Sequence, residues 1–280
     1  MNLQCGNRTL NLEMPQVMGI LNVTPDSFSD GGRFSDLDRA LYHAEKMISD
    51  GASIIDIGGE STRPGAQPVT ITQELDRVIP VIEALSQRFE VVVSVDTSTP
   101  EVMTQAAAVG VNIINDVRSL TREGALKAAA ETGLPICLMH MNGEPQVMQN
   151  KPQYSVPVEQ AVLAQLAESI ERCEQAGIER SRLIVDPGFG FGKNNQHDYR
   201  LLNRLETLQT LKLPILTGLS RKRMIGAATQ QENAADRIIG SVSAAVICAL
   251  KGARIIRVHD VKATVEAMQV VSATFKESNV

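Results

Sequence analysis

An α/β barrel of eight parallel strands follows from three features of this 280-residue chain. Eight short apolar runs alternate with helical patterns from one end to the other, the order that gives parallel strands joined by right-handed crossovers. The runs are rich in Ile and Val and lack polar alternation, so they read as strands buried on both faces. Nearly every run ends in a polar or charged residue. A buried strand has no structural need for such an ending; an enzyme that gathers its site from the carboxyl ends of barrel strands does. The length slightly exceeds the ~250 residues typical of a (β/α)8 TIM barrel. One domain over residues 1–280 is therefore expected, with the barrel itself over about 15–278.

Residues Asn2–Met14 are expected to form a small hairpin closing the barrel floor. The first strand, Val17–Val23, is followed by a helix over Ser35–Asp50, whose Leu37, Ala40, Leu41, Ala44, Met47 and Ile48 share a face and which stops at Gly51. After the run Ser53–Gly59, the helix Thr70–Phe89 opens on Thr70 and Gln73, the pattern of a capping box. Val91–Val95 leads to Thr99-Pro100-Glu101, a cap, a first-turn proline and an acid, starting a helix that ends near Gly110. The runs Asn112–Val117, Pro135–Met139, Arg182–Val185, Pro214–Leu219 and Arg254–Val258 complete the eight. Helical patterns cover Arg122–Thr132, Val158–Ala176, Asp198–Leu208, Asn233–Lys251 and Val261–Phe275.

Composition excludes several classes. A net charge of −5 gives no electrostatic footprint for nucleic acid, and 3% aromatics with no Trp gives no base-stacking surface. Cys5, Cys137, Cys173 and Cys248 lie far apart, without zinc spacing, and read as reduced core thiols. Met1–Gln16 lacks an apolar signal region, and Ile238–Leu250 is shorter than the ~20 residues that span a bilayer, so a cytoplasmic location is expected. The apolar Asn233–Leu250 helix reads as a packing surface and a homodimer face.

The strand endings carry the chemistry. Asp186 follows Leu183–Val185, and a buried carboxylate needs partners. An amino-pyrimidinone ring offers two adjacent N–H donors that one carboxylate accepts together. Asn115 can donate and accept on the same ring, and Asp96 can take another edge. These side chains could equally cap helices, and Asp96 just before Thr97–Pro100 is well placed for that. Cations concentrate late, in Ser220-Arg221-Lys222-Arg223 and Arg257-Val258-His259-Asp260, where barrels often bind phosphate. Arg63 adds another fork-shaped donor. His140 reads as a core or rim histidine without a catalytic task. Gly188-Phe189-Gly190-Phe191-Gly192-Lys193 is not a Walker A loop, because Pro187 and Asn194 stand where Gly and Ser/Thr are needed. Two long loops, Thr24–Gly32 and Gly58–Ala66, follow strands and carry glycine with polar cargo, as active-site lids do.

Taken together, these segments resemble dihydropteroate synthase of the bacterial type. The resemblance rests on Met18–Gly32, Gly58–Gly65, Ser94–Thr97, Ile114–Asp116, Asp186–Lys193, Ser220–Lys222 and Arg257–Asp260, and so runs through most of the chain. It implies a TIM-barrel transferase that joins 4-aminobenzoate to 6-hydroxymethyl-7,8-dihydropterin diphosphate, a step of folate biosynthesis blocked by sulfonamides. By the same resemblance Asp96, Asn115, Asp186 and Lys222 hold the pterin. Asn22 faces Mg²⁺ and the diphosphate, which Arg63, Arg257 and His259 clamp. Thr62, Pro64, Phe191, Ser220 and Lys222 line the aminobenzoate pocket, and Lys222, Arg63 and Asp96 take the catalytic roles. Arg223 stands where many relatives have Ser. A folate-binding methyltransferase barrel should lack the two loops and the basic set, and a non-catalytic pterin-binding module should lack the loop Arg or the strand-eight Arg and His.

Overall fold

The computed structural model describes residues 1–24, 33–61, 69–143, 148 and 152–277. Strands β1 (Asn2–Cys5) and β2 (Arg8–Asn11) pair antiparallel as the expected hairpin. Eight parallel strands follow: β3 (Gln16–Asn22), β4 (Ile54–Gly58), β5 (Val92–Asp96), β6 (Ile113–Asp116), β7 (Ile136–Met139), β8 (Leu183–Asp186), β9 (Leu216–Thr217) and β10 (Ile255–Val258). From β3 to β8 each pairs with its neighbours in sequence, β9 pairs with β10, and β10 returns to β3. A parallel bridge from Val185 to Ile215, with Val185 N–H donating to the Pro214 carbonyl at 3.0 Å, joins β8 to the β9 side and closes the cylinder.

Helices α1 (Arg33–Ser49), α2 (Ile71–Arg88), α3 (Pro100–Ala108), α4 (Ala125–Thr132), α5 (Val158–Gln175), α6 (Asn195–Asn203), α7 (Arg223–Thr229), α8 (Ile238–Leu250) and α9 (Val261–Lys276) surround it. The Thr70 capping box is present in both directions, Thr70 Oγ1 accepting from Gln73 N–H at 3.2 Å and Gln73 Oε1 from Thr70 N–H at 3.0 Å. Thr99 departs from expectation: Pro100 starts α3, but the Thr99 hydroxyl makes no cap hydrogen bond; it donates to Glu74 Oε2 at 2.7 Å and accepts from Arg122 Nη1 at 3.1 Å. A guanidinium is a stronger donor to that oxygen than a backbone N–H. The pattern read as one helix over Asp198–Leu208 divides into α6, which begins earlier at a capping box on Asn194, and a 3-10 stretch over Leu205–Leu211. Helix α7 went unforeseen because seven residues around Gly226 are too few for a period.

Two apolar layers result. The larger lies between the outward-facing strand side chains and the helices. The smaller fills the bottom of the barrel and takes one side chain from each of the eight strands: Met18, Ile54, Val92, Ile113, Cys137, Ile184, Leu216 and Ile255. Leu3, Cys5, Leu10 and Leu12 of the hairpin plug this layer from below, so the N-terminal strands do close the floor. All four cysteines are buried free thiols. Among the described residues no helix is long and apolar enough to cross a membrane.

Candidate active site

The floor fixes which side chains point inward above it. Side chains alternate along a strand, so a residue two positions beyond each floor residue also faces the barrel axis. That step gives Asp56 after Ile54, Ser94 after Val92, Asn115 after Ile113, Asp186 after Ile184 and Arg257 after Ile255. A second step brings Asn22, Asp96, Ser220 and His259 to the mouth. An apolar plug thus sits beneath a polar chamber, and the polar strand endings share one interior because they share one parity.

Asp56 anchors the chamber. It is fully buried, its Oδ1 accepting from Ser94 Oγ at 2.6 Å and its Oδ2 from Asn115 Nδ2 at 3.2 Å and Arg257 Nε at 2.6 Å. Arg257 Nη2 reaches Asp96 Oδ2 at 2.9 Å, so one guanidinium spans two carboxylates. Burial works against the charge on Arg257, but Asp56 and Asp96 outweigh it and hold its pKa above the ordinary arginine value. Asp96 is pushed well up, first by burial and then by the neighbouring anions Asp56, Asp116 and Glu74, against the pull of Arg257. Its neighbour Asp116 plays a different part: it takes Ser98 Oγ and the backbone N–H of Arg118 and Leu120, and so shapes the turn after β6.

Asp186 lies across the chamber, 7% exposed, its Oδ1 accepting from Gly188 N–H at 2.7 Å. Burial raises its pKa, and Lys222 opposes the rise. Lys222 Nζ donates to the Phe189 carbonyl and stands 4.6 Å from the Phe191 ring centroid, a cation–π arrangement. Burial lowers the Lys222 pKa to about 8, against Asp186 and Asp198.

The glycine-rich turn that carries both phenylalanines is docked on the segment after β7. A Cβ on Gly188 would stand 1.9 Å from the His140 carbonyl oxygen, and Gly188 has φ +63°, so only glycine fits. Lys193, fully buried, spends all three ammonium hydrogens inside this turn, on the Gly188 carbonyl at 2.8 Å, the Phe191 carbonyl at 3.1 Å and His140 Nδ1 at 2.8 Å. Burial and the Lys193 ammonium push the His140 pKa down to about 2, so the ring is neutral and accepts. His140 is thus a core histidine, as its sequence context suggested.

At the β9 and β10 ends, Ser220 Oγ lies 3.1 Å from both the backbone N and Nδ1 of His259. Arg221 instead pairs outward, bidentate, with Asp260 at 3.0 and 2.6 Å. Arg223 Nη2 donates to the Lys193 carbonyl at 3.3 Å, which ties the turn after β9 to the glycine loop. Glu60, just after β4, holds Arg118 at 3.4 Å and Arg122 at 3.7 Å. Thr62, Arg63 and Pro64, with residues 25–32 of the first loop, lie outside the described residues. The barrel therefore gathers Asn22, Asp96, Asn115, Asp186, Lys222, Arg257, Ser220 and His259 at one mouth, with Phe191 beside Lys222. The strand-end reading missed Asp56 and Lys193. Their signal was a charged residue inside an otherwise apolar or glycine-rich run.

A barrel with a buried carboxylate–carboxamide chamber suits an aromatic heterocycle. Residues 18–259 match the family of pterin binding enzymes, and the chain is a pterin-binding enzyme of that family. Dihydropteroate synthase of Escherichia coli (strain K12) is 58% identical over 274 residues, 98% of this chain and 96% of that protein. The Yersinia pestis dihydropteroate synthase, solved with a sulfonamide drug complex, superposes with a TM-score of 0.94 at 56% identity, covering 99% of this chain and 100% of that one. The Xanthomonas albilineans enzyme in complex with 7,8-dihydropteroate superposes with a TM-score of 0.89 at 44% identity, covering 98% and 99%. The chain belongs to the dihydropteroate synthase family.

Proposed function

We propose that this protein joins 4-aminobenzoate to 6-hydroxymethyl-7,8-dihydropterin diphosphate, giving 7,8-dihydropteroate and diphosphate, as a single cytoplasmic barrel domain. The observation that carries the reading is the convergence of Asp96, Asn115 and Asp186 from three strands onto one buried chamber. Asp186 accepts paired ring N–H groups, Asn115 donates and accepts, and Asp96 takes the further edge. Lys222, between the Asp186 side and the Phe191 ring, contacts both substrates. Ser220 and Phe191 line the aminobenzoate pocket together with Thr62 and Pro64.

The arylamine nucleophile is neutral at pH 7, so no strong base is needed to expose its lone pair. The barrier lies in the leaving group. The C–O bond of the hydroxymethyl diphosphate breaks with its electron pair going to oxygen, and the electron-rich ring supports the resulting cationic methylene. Asp96 and Asp186 offset that charge. Arg63, His259 and Arg257 of β10 receive the departing diphosphate. The amine nitrogen then bonds to the methylene carbon and loses its proton to water. A Mg²⁺ that arrives with the diphosphate fits a single neutral carboxamide donor, because the phosphate oxygens supply the charge. Asn22 at the mouth would be its protein ligand beside phosphate oxygens and water. Bound there, Mg²⁺ supplies charge stabilisation to the diphosphate.

Two experiments test the reading. A sulfonamide should compete with 4-aminobenzoate and not with the pterin diphosphate; competition with the pterin would refute the assignment of the pockets. Positional isotope exchange within the diphosphate, without 4-aminobenzoate, should be detectable if departure precedes attack. Its absence, with second-order dependence on amine nucleophilicity, would favour direct displacement. Exposed Ile239, Leu250 and Val270 on α8 and α9 support a homodimer, to be checked by sedimentation at micromolar concentration.

A further inference from the structure

We propose that Asp56 is a positioning residue for this reaction, turning the Asn115 carboxamide toward the pterin ring and holding the Arg257 guanidinium for the diphosphate, so that the two meet the substrate in one fixed arrangement. The inference rests on the reading above that the ring binds in this chamber. Asp56 interrupts an isoleucine strand, between Ile55 and Ile57, where packing alone asks for an apolar side chain. Its partners come from three other strands: Ser94 on β5, Asn115 on β6 and Arg257 on β10. None of these bonds serves the backbone of its own strand.

The consequence for Asn115 is directional. A carboxylate only accepts, so the amide must turn Nδ2 toward Asp56. That spends one amide hydrogen and leaves Oδ1 and the second hydrogen, an adjacent acceptor and donor matched to a pyrimidinone edge. The consequence for Arg257 is competitive. Its Nη2 occupies Asp96 Oδ2, the carboxylate that must also take a ring N–H. The bond from Nε to Asp56 keeps the guanidinium in place when the ring claims Asp96. Without Asp56, Arg257 and the ring would contend for one carboxylate. The Ser94 hydroxyl, on the far oxygen of Asp56, fixes the carboxylate plane from which both effects follow.

The test is steady-state kinetics of Asp56→Asn. The KM for the pterin diphosphate should rise about ten- to hundredfold, the cost of losing a hydrogen bond to a charged group, while that for 4-aminobenzoate stays within about twofold. The pH profile supplies a readout that a packing defect would not move. Asp96 is faced by Arg257, Asp56, Asp116 and Glu74. Removing the Asp56 charge takes away one anion that keeps Asp96 protonated, so the acid limb of kcat/KM should move to lower pH. Unchanged KM values, or equal rises in both with a fixed acid limb, would overturn the inference while leaving the reaction intact. A wild-type protein that releases no diphosphate would overturn both. Should Asp56→Asn not fold, Ser94→Ala decides: a raised KM for the pterin diphosphate alone supports the role, and unchanged constants contradict it.

Discussion

Asp186 and Lys222 face the same chamber without a close ion pair, and burial favours the neutral form of each. A ligand that brings N–H donors to Asp186 and negative charge to Lys222 would restore both charges. Asp186→Ala should therefore weaken binding of the pterin diphosphate by about 1.5–3 kcal/mol, the range for hydrogen bonds to a charged group. Calorimetry showing normal affinity would remove Asp186 from the site. Lys222 is a base whose pKa is lowered to about 8, so it is cationic below that pH and neutral above it. Affinity for the pterin diphosphate should fall as pH rises through about 8, and Lys222→Arg should remove that alkaline limb. An alkaline limb that persists in the arginine variant would assign it to another group. At this scale the sequence disclosed Asp96, Asn115 and Asp186 because each stands at the end of an apolar run. Asp56 escaped because it sits within one. Counting two residues back from the strand end along the inward face would have exposed it.

The glycine loop after β8 shows how an element can be rigid without regular secondary structure. Its glycines are obligatory where the backbone presses on the segment after β7, and Lys193 replaces inter-strand pairing with three bonds from one ammonium. Gly188→Ala combines a left-handed backbone with a clash against the His140 carbonyl and should destabilise the protein by at least ~2 kcal/mol. A urea midpoint equal to that of the wild type would show that the loop can yield. The α2 capping box is a milder element, and Thr70→Ala should cost ~1 kcal/mol in the same measurement. Helices with a full amphipathic period were legible from the chain, as was the Thr70 box. Strand β9 was read too long, over Pro214–Leu219, since an apolar run does not reveal that regular pairing is confined to Leu216–Thr217. The end of the α6 pattern became a 3-10 stretch for reasons that no three-residue spacing in the chain announces.

The whole molecule is a cylinder plugged at one end and polar at the other. The plug is the hairpin, whose Leu3 and Leu12 are 2% and 1% exposed against the floor layer. Leu12→Ala should cost about 2–5 kcal/mol, as for other buried leucines, although it lies at the opposite end from the chemistry. Differential scanning calorimetry checks the loss; an unchanged transition would mean that the floor closes without the hairpin. The barrel itself was legible because eight doubly buried strands alternating with helices admit few other solutions. Its closure was expected from the eight strand–helix units, and the structure makes it where Val185 meets Ile215 across the first and last strands of the sheet order. The function became readable where these scales meet, in an inward layer of acids and an amide above an apolar floor. The most direct test is diphosphate release from 6-hydroxymethyl-7,8-dihydropterin diphosphate, followed with and without 4-aminobenzoate. Release with matching formation of 7,8-dihydropteroate is expected when the amine is present; no release with both substrates supplied would contradict the assignment.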